Sequence, residues 1–239
     1  VDETNVAEAR KYSASLKKSS RIAFEVLRSD RLPFNDHTAN LVISDDLGRV
    51  SQMEVMRILA PNGVAWLKMD GLWKKETKSL PKEFDDWTHY LHGPDGHVMS
   101  KDLAVGPPFH MQWSGEPQHG KSHTYLTTLN VMVSGGGRLF YIIDESIKAL
   151  PSSLPSRWAL FARDAFNGVV LWKRPLASWQ PSYVKDRNCY PTDLHRRIVA
   201  GSNVVFCTLS ILGPVSALDA ASGTTLITYR DTEKAEEII

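Results

Sequence analysis

The stretch that decides the fold of most of this chain is Ala162-Arg163-Asp164-Ala165-Phe166-Asn167-Gly168-Val169-Val170-Leu171-Trp172. Its pattern, Ala-x-Asp-Ala-x-x-Gly-x-x-Leu, returns at residues 217–226, with Asp219 placed 55 positions after Asp164. The Asp side chain can accept hydrogen bonds from backbone N–H groups just ahead of it, and the Gly can adopt the positive φ of a tight turn. Because apolar residues flank both copies, each copy predicts a β-hairpin. Two copies predict a repeated unit of paired strands.

Both copies resemble the outer-strand signature of pyrroloquinoline-quinone-type (PQQ-like) β-propeller repeats. Residues 136–142 and 201–206 are similar to the entry strands of such blades, and residues 87–96, which end in Gly-Pro-Asp-Gly, are similar to their lead-in. The resemblance covers residues 84–239 and is greatest to propeller proteins of planctomycete-type bacteria. It implies an incomplete all-β propeller of about two four-stranded blades.

The first seventy residues follow a different pattern. Residues 3–18 have helical character, and residues 50–60 have apolar positions at helical spacing. Apolar, β-prone runs at residues 21–27, 40–44 and 64–69 predict strands. A strand, a helix and a strand in this order predict a parallel α/β sheet.

These residues also resemble the later half of a class I S-adenosylmethionine (SAM) methyltransferase domain, through Leu-Pro-Phe at 32–34, Asn-Leu-Val-Ile-Ser at 40–44 and Ala-Pro-Asn-Gly-Val at 60–64. In that family an acidic residue before Leu-Pro-Phe lies beside the cofactor adenine, and the resemblance assigns this role to Asp30, although the spacing is shorter here. The glycine-rich loop and the ribose-binding acid of the family have no match in this chain. The resemblance therefore implies that Asp30 is the adenine-side remnant of a SAM pocket, in a working domain or in a degenerate scaffold.

The sequence thus predicts three parts: a methyltransferase-like α/β half-domain at residues 1–70, a lysine-rich basic linker at 71–83, and a propeller lead-in with its first blades at 84–239. The predicted fold class is mixed, with a Rossmann-like half-domain followed by an incomplete all-β propeller. Because a closed propeller has about 4–8 blades, we expect the chain to be a piece of a longer parent protein. No signal peptide is recognisable, and a periplasmic or exported location of that parent is left open.

Composition limits the classes of partner. The formal net charge is +1, and hydrophobic residues make up 42% of the chain. This balance gives no electrostatic case for nucleic acid, and no stretch approaches the roughly 20 apolar residues of a membrane span. The expected partner is a protein or a small-molecule ligand bound through the propeller loops.

One segment matches a phosphate-binding loop literally. Residues 115–122 fit Gly-x-x-x-x-Gly-Lys-Ser, and the apolar run 139–143 with Asp144 is similar to the strand and acid that hold magnesium in such enzymes. The mechanism requires a helix that begins at the Lys, but residues 123–130 favour a strand. We therefore interpret residues 115–122 as a loop between strands.

The histidine content suggests a metal site, which we weigh against packing in turns. No Cys-x-x-Cys or His-Glu-x-x-His accompanies the histidines, so no metal ligand is assigned. Six of the eight histidines fall within 35 residues: His89, His92, His97, His110, His119 and His123.

The tryptophans and the cysteines each allow two interpretations. The five tryptophans of the propeller-like part are interpreted as blade-packing residues rather than as a floor for a quinone. These are Trp87, Trp113, Trp158, Trp172 and Trp179. Cys189 and Cys207 permit one disulfide, but a buried free thiol at Cys207 is the simpler interpretation.

The function expected from the sequence is a non-catalytic binding or interaction scaffold of the PQQ-like propeller type, with no catalytic residue assigned. A SAM-dependent methyltransferase and a quinone-dependent dehydrogenase are the alternatives for the parent protein. The cofactor of that parent stays unknown, with SAM and PQQ as candidates, and none is expected for this piece.

Overall fold

The chain forms two structural units, each with its own sheets and core. The first unit runs from Val1 to Lys78 and the second from Ser79 to Ile239. Neither helix in the described part of the chain has the length and apolar character that crossing a bilayer requires. A computed structural model describes residues 3–16, 22–107, 111–115, 129–146, 156–179 and 194–239.

The first unit contains a mixed sheet of three strands. Its elements are α1 (Glu3–Ser15), β1 (Ala39–Ser44), α2 (Gln52–Ile58), β2 (Leu59–Met69) and β3 (Leu72–Thr77). β1 and β2 are parallel and are connected through α2, whereas β3 is antiparallel to β2. Val55 of α2 packs with Leu59 and Leu67 of β2 in the core of this unit. The predicted helix at 3–18 is thus present as α1, and the predicted strand at 40–44 is present as β1.

Polar contacts fix the start of α2. The side chain of Ser51 accepts a hydrogen bond from the backbone N–H of Glu54 at 3.1 Å. Glu54 accepts two hydrogen bonds from the Arg57 guanidinium, at 2.7 and 2.6 Å, and a third from the backbone N–H of Leu32 at 2.7 Å. The hydrogen bonds from Arg57 stabilise the carboxylate and lower the pKa of Glu54 to about 2. The loop before β1 is therefore held against α2.

Lys78 stabilises the other end of α2. Its Nζ donates to the carbonyl oxygens of Met56 and Leu59, each at 2.7 Å, and lies 2.9 Å from Nδ1 of His37. The last carbonyls of a helix lack intrahelical donors and carry partial negative charge, so a cation there is favourable. Burial lowers the pKa of both His37 and Lys78.

The predicted Rossmann-like half-domain is wrong. The strand expected at 21–27 is absent over its described residues, 22–27, and the sheet is mixed rather than parallel. β3 lies within the predicted basic linker, because a hairpin turn at Asp70 and Gly71 returns the chain onto β2. Both turn residues have positive φ, 53° and 78°, as a two-residue hairpin turn of the Asp-Gly type requires.

The second unit consists of two four-stranded antiparallel sheets, in which strands adjacent in sequence are adjacent in space. The first sheet holds β4 (Leu129–Gly135), β5 (Arg138–Asp144), β6 (Trp158–Asp164) and β7 (Val170–Pro175). A 3-10 helix (Leu194–Arg196) precedes the second sheet, which holds β8 (Ile198–Ala200), β9 (Val204–Thr208), β10 (Val215–Asp219) and β11 (Thr225–Thr228).

One hydrophobic core joins these two sheets. Its fully buried members include Phe140, Leu160, Ile198, Val205 and Leu218. The first two residues come from the first sheet and the last three from the second. Burial of this apolar surface is the main favourable contribution to holding the sheets together.

The segment before β4 links the same two sheets through its backbone. The N–H of Ser134 in β4 donates to the carbonyl oxygen of Trp87 at 2.7 Å. The N–H of Ala200 in β8 donates to the carbonyl oxygen of Thr88 at 2.9 Å. Two consecutive residues are therefore hydrogen-bonded to two different sheets, and the residues that follow them are fixed in place.

The two copies of the repeated motif form the hairpin turns that the sequence predicts, between β6 and β7 and between β10 and β11. Asp164 Oδ1 accepts hydrogen bonds from the N–H groups of the two residues at 166 and 167, at 2.8 and 3.1 Å. Asp219 Oδ1 accepts from the N–H of Ser222 at 2.8 Å. Gly168 and Gly223 both have φ 72°, the positive value that favours glycine.

A tryptophan covers each of these turns. Trp113 Nε1 donates to the carbonyl oxygen of Ala165 at 3.1 Å, and Trp172 Nε1 donates to that of Ala220 at 3.0 Å. A Cβ on Gly223 would lie 2.7 Å from Cδ2 of Trp172. Because Trp172 belongs to β7, this contact links the first sheet to the turn of the second.

The predicted incomplete propeller is wrong as well. The structure has three separate antiparallel or mixed sheets and not a Rossmann-like half-domain followed by a propeller. The physical reason is that the repeated motif fixes only a hairpin turn and the pairing of its strands. It carries no information about how whole sheets are arranged around an axis.

We expect Gly223→Ala to destabilise the second sheet by about 2–4 kcal/mol, because it combines a strained backbone with a clash against Trp172. Gly96→Ala is the matched control, since Gly96 also has a positive φ, 69°, but has no atom within 4 Å of its Cβ position. That variant should cost only about 1–2 kcal/mol. Hydrogen exchange of the β10 amides measures both effects, and equal losses would contradict the role of the Trp172 contact.

Candidate functional site

The segment from residue 85 to residue 105, which we call the lead-in loop, is organised by two aspartates. Asp85 Oδ2 accepts hydrogen bonds from His92 Nε2 at 2.7 Å, from the N–H of Lys101 at 2.6 Å and from Ser100 Oγ at 3.3 Å. Asp102 Oδ2 accepts from the N–H of Asp85 at 3.2 Å. The hydrogen bond from the Lys101 N–H and that from His92 lower the pKa of Asp85. The loop is thus closed by charge-assisted hydrogen bonds.

His89 contacts its neighbour Thr88 and has an unpaired ring nitrogen. Thr88 Oγ1 lies 2.7 Å from Nδ1 of His89 and 3.2 Å from the carbonyl oxygen of His92, and its hydroxyl has a single hydrogen to donate to one of them. Nε2 of His89 is buried without a hydrogen-bond partner among the described residues.

His89 lines a cleft of about 60 Å³, which we call the His89 cleft. Its walls come from three separated segments of the second unit: the lead-in loop, the 3-10 helix with β8, and the residues at 237–239. Arg196 and Glu237 form an ion pair at 2.8 Å in its wall. The Tyr90 ring, which also lines the cleft, packs on the ring of His195 with 3.5 Å between centroids.

Two opposing effects act on the charge of His89. Burial lowers its pKa, and this effect outweighs the carboxylates of Glu237 and Asp95, which raise it. The imidazole is therefore neutral at physiological pH. A neutral imidazole has one ring nitrogen that donates and one that accepts a hydrogen bond.

The structure brings together only part of the predicted histidine cluster. His89 and His92 pair through their backbones, but His92 Nε2 is hydrogen-bonded to Asp85. His97 lies exposed in the same loop. The histidines at 110, 119 and 123 lie outside the described residues. Within the residues that the structure describes, no three His, Cys, Asp or Glu side chains form a group able to hold a metal ion.

The segment that matches a phosphate-binding loop is described only at Gly115. The apolar run that follows it is β5, in agreement with its interpretation as a strand. Asp144 at the end of β5 accepts hydrogen bonds from the N–H groups of Ser146 and Arg157, at 2.9 and 2.8 Å. Its carboxylate therefore stabilises the backbone just after β5 and just before β6.

The tryptophans have structural roles. Trp113 and Trp172 cover the repeat turns, and Trp158 and Trp179 are buried in the core. Trp87 donates its Nε1 to the carbonyl oxygen of Tyr90 at 3.1 Å and so shapes the lead-in loop.

Cys207 is fully buried, and burial raises the pKa of its thiol to about 12. A thiol of this kind is unreactive. Cys189 lies outside the described residues, so the question of a disulfide stays open.

Asp30 lies in the first unit, exposed to solvent and outside regular secondary structure. Its neighbours Ser29 and Arg31 line a groove of about 760 Å³ beside α1. Its assignment to an adenine site stays a prediction.

Residues 89–96 of the His89 cleft fall within the lead-in that the sequence predicts, but the cleft itself was not predicted. Arg196 and Glu237 lie more than 100 positions from His89. The local signal was His89 itself, as one of the six clustered histidines. Nothing local indicated which distant residues would face it.

Replacing Asp85 with Asn should destabilise the lead-in loop by about 1–3 kcal/mol, because an amide cannot replace all the hydrogen bonds that the carboxylate accepts. Since the pKa of Asp85 is lower in the folded state, its contribution is present above the unfolded pKa, near 3.8, and is lost as pH falls through the folded pKa. The variant should therefore lose less stability on acidification. Hydrogen exchange of the Lys101 amide measures both effects, with Asp231→Asn as the exposed control. An unchanged acid response would contradict this role.

His89 should titrate below 6.5 in an NMR titration of its ring protons, because burial disfavours the imidazolium. Glu237→Gln should lower this pKa further, since it removes a carboxylate that favours the charged ring. A pKa at or above 6.5 would show that the ring is not buried as described.

Comparison with known proteins assigns no family to the chain. No protein-family model matches it, and no curated protein matches it. The resemblances to PQQ-like repeats and to methyltransferases therefore stay predictions.

Proposed function

We propose that this chain is a non-catalytic binding scaffold that takes up its ligand in the His89 cleft. The observation that carries the proposal is the cleft itself, which three separated segments of the second unit line and which has the ring of His89 and the Arg196–Glu237 ion pair in its wall. Concave sites with apolar walls and a few convergent polar groups are typical of ligand binding.

The arrangement of the lead-in loop favours binding over catalysis. His92 and Asp85 form a pair such as many hydrolases use, but no hydroxyl or thiol of the described residues hydrogen-bonds to the His92 ring. Ser100 donates to Asp85 instead. A nucleophile activated by this imidazole is therefore missing from the described arrangement. The methyltransferase and dehydrogenase alternatives stay predictions for a longer protein.

The scaffold also provides the rigidity that a binding site requires. Trp87 and Thr88 are hydrogen-bonded to two different sheets immediately before His89. The opposite wall is formed by β8 and by the residues that follow β11. A preformed cleft loses little conformational entropy on binding, which favours affinity.

A fragment screen by NMR tests this function. The probes are small amines, carboxylic acids, amides and alcohols, each added to uniformly labelled protein. We expect at least one class to shift the signals of residues 89–96, 196–199 and 237–239 and to leave other regions unchanged. His89→Phe, which keeps an aromatic ring and removes both ring nitrogens from the wall of the cleft, should weaken these shifts.

His97→Phe is the matched control, since His97 lies exposed in the same loop and does not line the cleft. It should leave the shifts unchanged. The proposal is overturned when no probe class perturbs the cleft residues, or when His89→Phe responds as the unmodified chain does.

A further inference from the structure

We propose that the sheet of the first unit docks an amphipathic helix of a partner protein on the face opposite its core, with acidic residues of that helix beside two lysines of the sheet. This surface belongs to the first unit, so the inference is independent of the His89 cleft in the second. It is carried by three features: an apolar surface that the core leaves uncovered, a pair of exposed tryptophans, and the two lysines that flank them.

The strand register divides this sheet into two faces. Ala65 and Leu67 of β2 belong to the core, together with Val55 of α2. Because side chains alternate along a strand, the residues between them lie on the opposite face, which we call the outer face. Its apolar members are Leu41, Ile43, Val64, Trp66 and Trp73.

The outer face is open to solvent. Leu41 and Ile43 of β1 are 54% and 55% exposed, and the two tryptophans are each 48% exposed. Neighbouring positions on all three strands contribute, so the apolar surface is continuous across the sheet. Continuous apolar surface of this kind marks an interaction site more often than single exposed residues do.

The connection of the strands indicates a helix as the occupant. β1 and β2 are parallel and are joined through α2, which packs on the core face. Sheets with parallel strands typically have helices on both faces, because each face is apolar and has to be covered. A helix on the outer face would complete this layered arrangement.

Tryptophans and lysines alternate at the centre of the outer face. Trp66 is paired with Lys75 across β2 and β3, and Lys68 is paired with Trp73. The two indole rings meet diagonally, edge to face, with 5.6 Å between their centroids. Tryptophans frequently dominate the energetics of protein interfaces, so this pair is the expected anchor for the apolar side of the helix.

The charges of the outer face favour acidic residues on the partner. Among the described strand positions of this face, none is Asp or Glu. Asp70 of the hairpin turn lies 3.8 Å from Lys74, and Glu76, on the core side of β3, accepts a hydrogen bond from Gln52 at 2.7 Å. Asp45, which follows β1 directly, offsets one of the two lysines of the outer face. One positive charge remains beside the tryptophans, and a carboxylate on the helix complements it.

Two other occupants fit the outer face less well. In a symmetric dimer the same surface meets itself, so the lysines of one copy would approach those of the other. A lipid surface is recognised electrostatically by clusters of about four to eight basic residues, and this face has two. A helix needs only one or two carboxylates at the right positions.

The test uses two labelled synthetic peptides of about 18 residues, each an amphipathic helix with leucine and alanine on one side. The other side holds glutamate in the first peptide and lysine in the second. Fluorescence anisotropy with the full chain gives the Kd, and NMR amide shifts locate the site. We expect the glutamate peptide to bind at least about tenfold more tightly, with shifts in β1, β2 and β3.

Consecutive residues of β3 provide matched variants, because their side chains lie on opposite faces. Lys75→Glu should reverse the preference between the two peptides, whereas Lys74→Glu should leave the glutamate peptide preferred. Trp73→Thr should weaken binding of the glutamate peptide by at least about tenfold. Leu72→Thr is its control, since Leu72 is 69% exposed on the core side of the sheet.

Equal binding of the two peptides overturns the inference, as does binding of neither. Equal effects of Lys74→Glu and Lys75→Glu would show that the outer face is not the site. A dimer that Trp73→Thr dissociates would make a second copy the occupant and overturn the helix. Sedimentation with vesicles of phosphatidylcholine and about 30% phosphatidylserine, lost in Trp73→Thr, would overturn it in favour of a membrane surface.

Discussion

The backbone hydrogen bonds of Trp87 and Thr88 are the constraint on which the second unit depends. One carbonyl accepts from β4 and the next accepts from β8, so the lead-in loop joins two sheets that share no strand. The shared hydrophobic core makes their association favourable, but it is non-directional. The two hydrogen bonds set the register between the sheets at this point, and they also place His89 at the wall of the cleft.

Tryptophan and glycine provide a second directional link. Each repeat turn presents a glycine with positive φ and a backbone carbonyl three residues before it. A tryptophan ring covers the glycine and donates its N–H to that carbonyl. At Gly223 the tryptophan comes from β7, so the outer strand of one sheet is fixed to the turn of the next. The short repeated motif thus contributes to tertiary structure as well as to its own hairpin.

In the first unit, too, directional polar contacts position an element of the fold. Its helix α2 is too short to be stable alone, and side chains satisfy the backbone groups at both of its ends. Ser51 caps the start, and Lys78 donates to the carbonyls at the end from a position that is 20 residues beyond the helix. The lysine therefore joins the last residue of this unit to its single crossover helix.

The sequence by itself determined the local structure: α1, β1 and the two hairpins of the repeated motif, because periodicity and turn chemistry act over a few neighbouring residues. The Asp-Gly pair at 70–71 also encoded the β2–β3 hairpin, although the lysine-rich composition led to its interpretation as a linker. Only the tertiary structure decided that the sheets are three separate ones, and only it brought Arg196 and Glu237 to His89. Sheet arrangement depends on contacts such as those of Trp172 with Ala220 and of Thr88 with Ala200, and the cleft brings together residues more than 100 positions apart. No local pattern specifies which distant surfaces will meet.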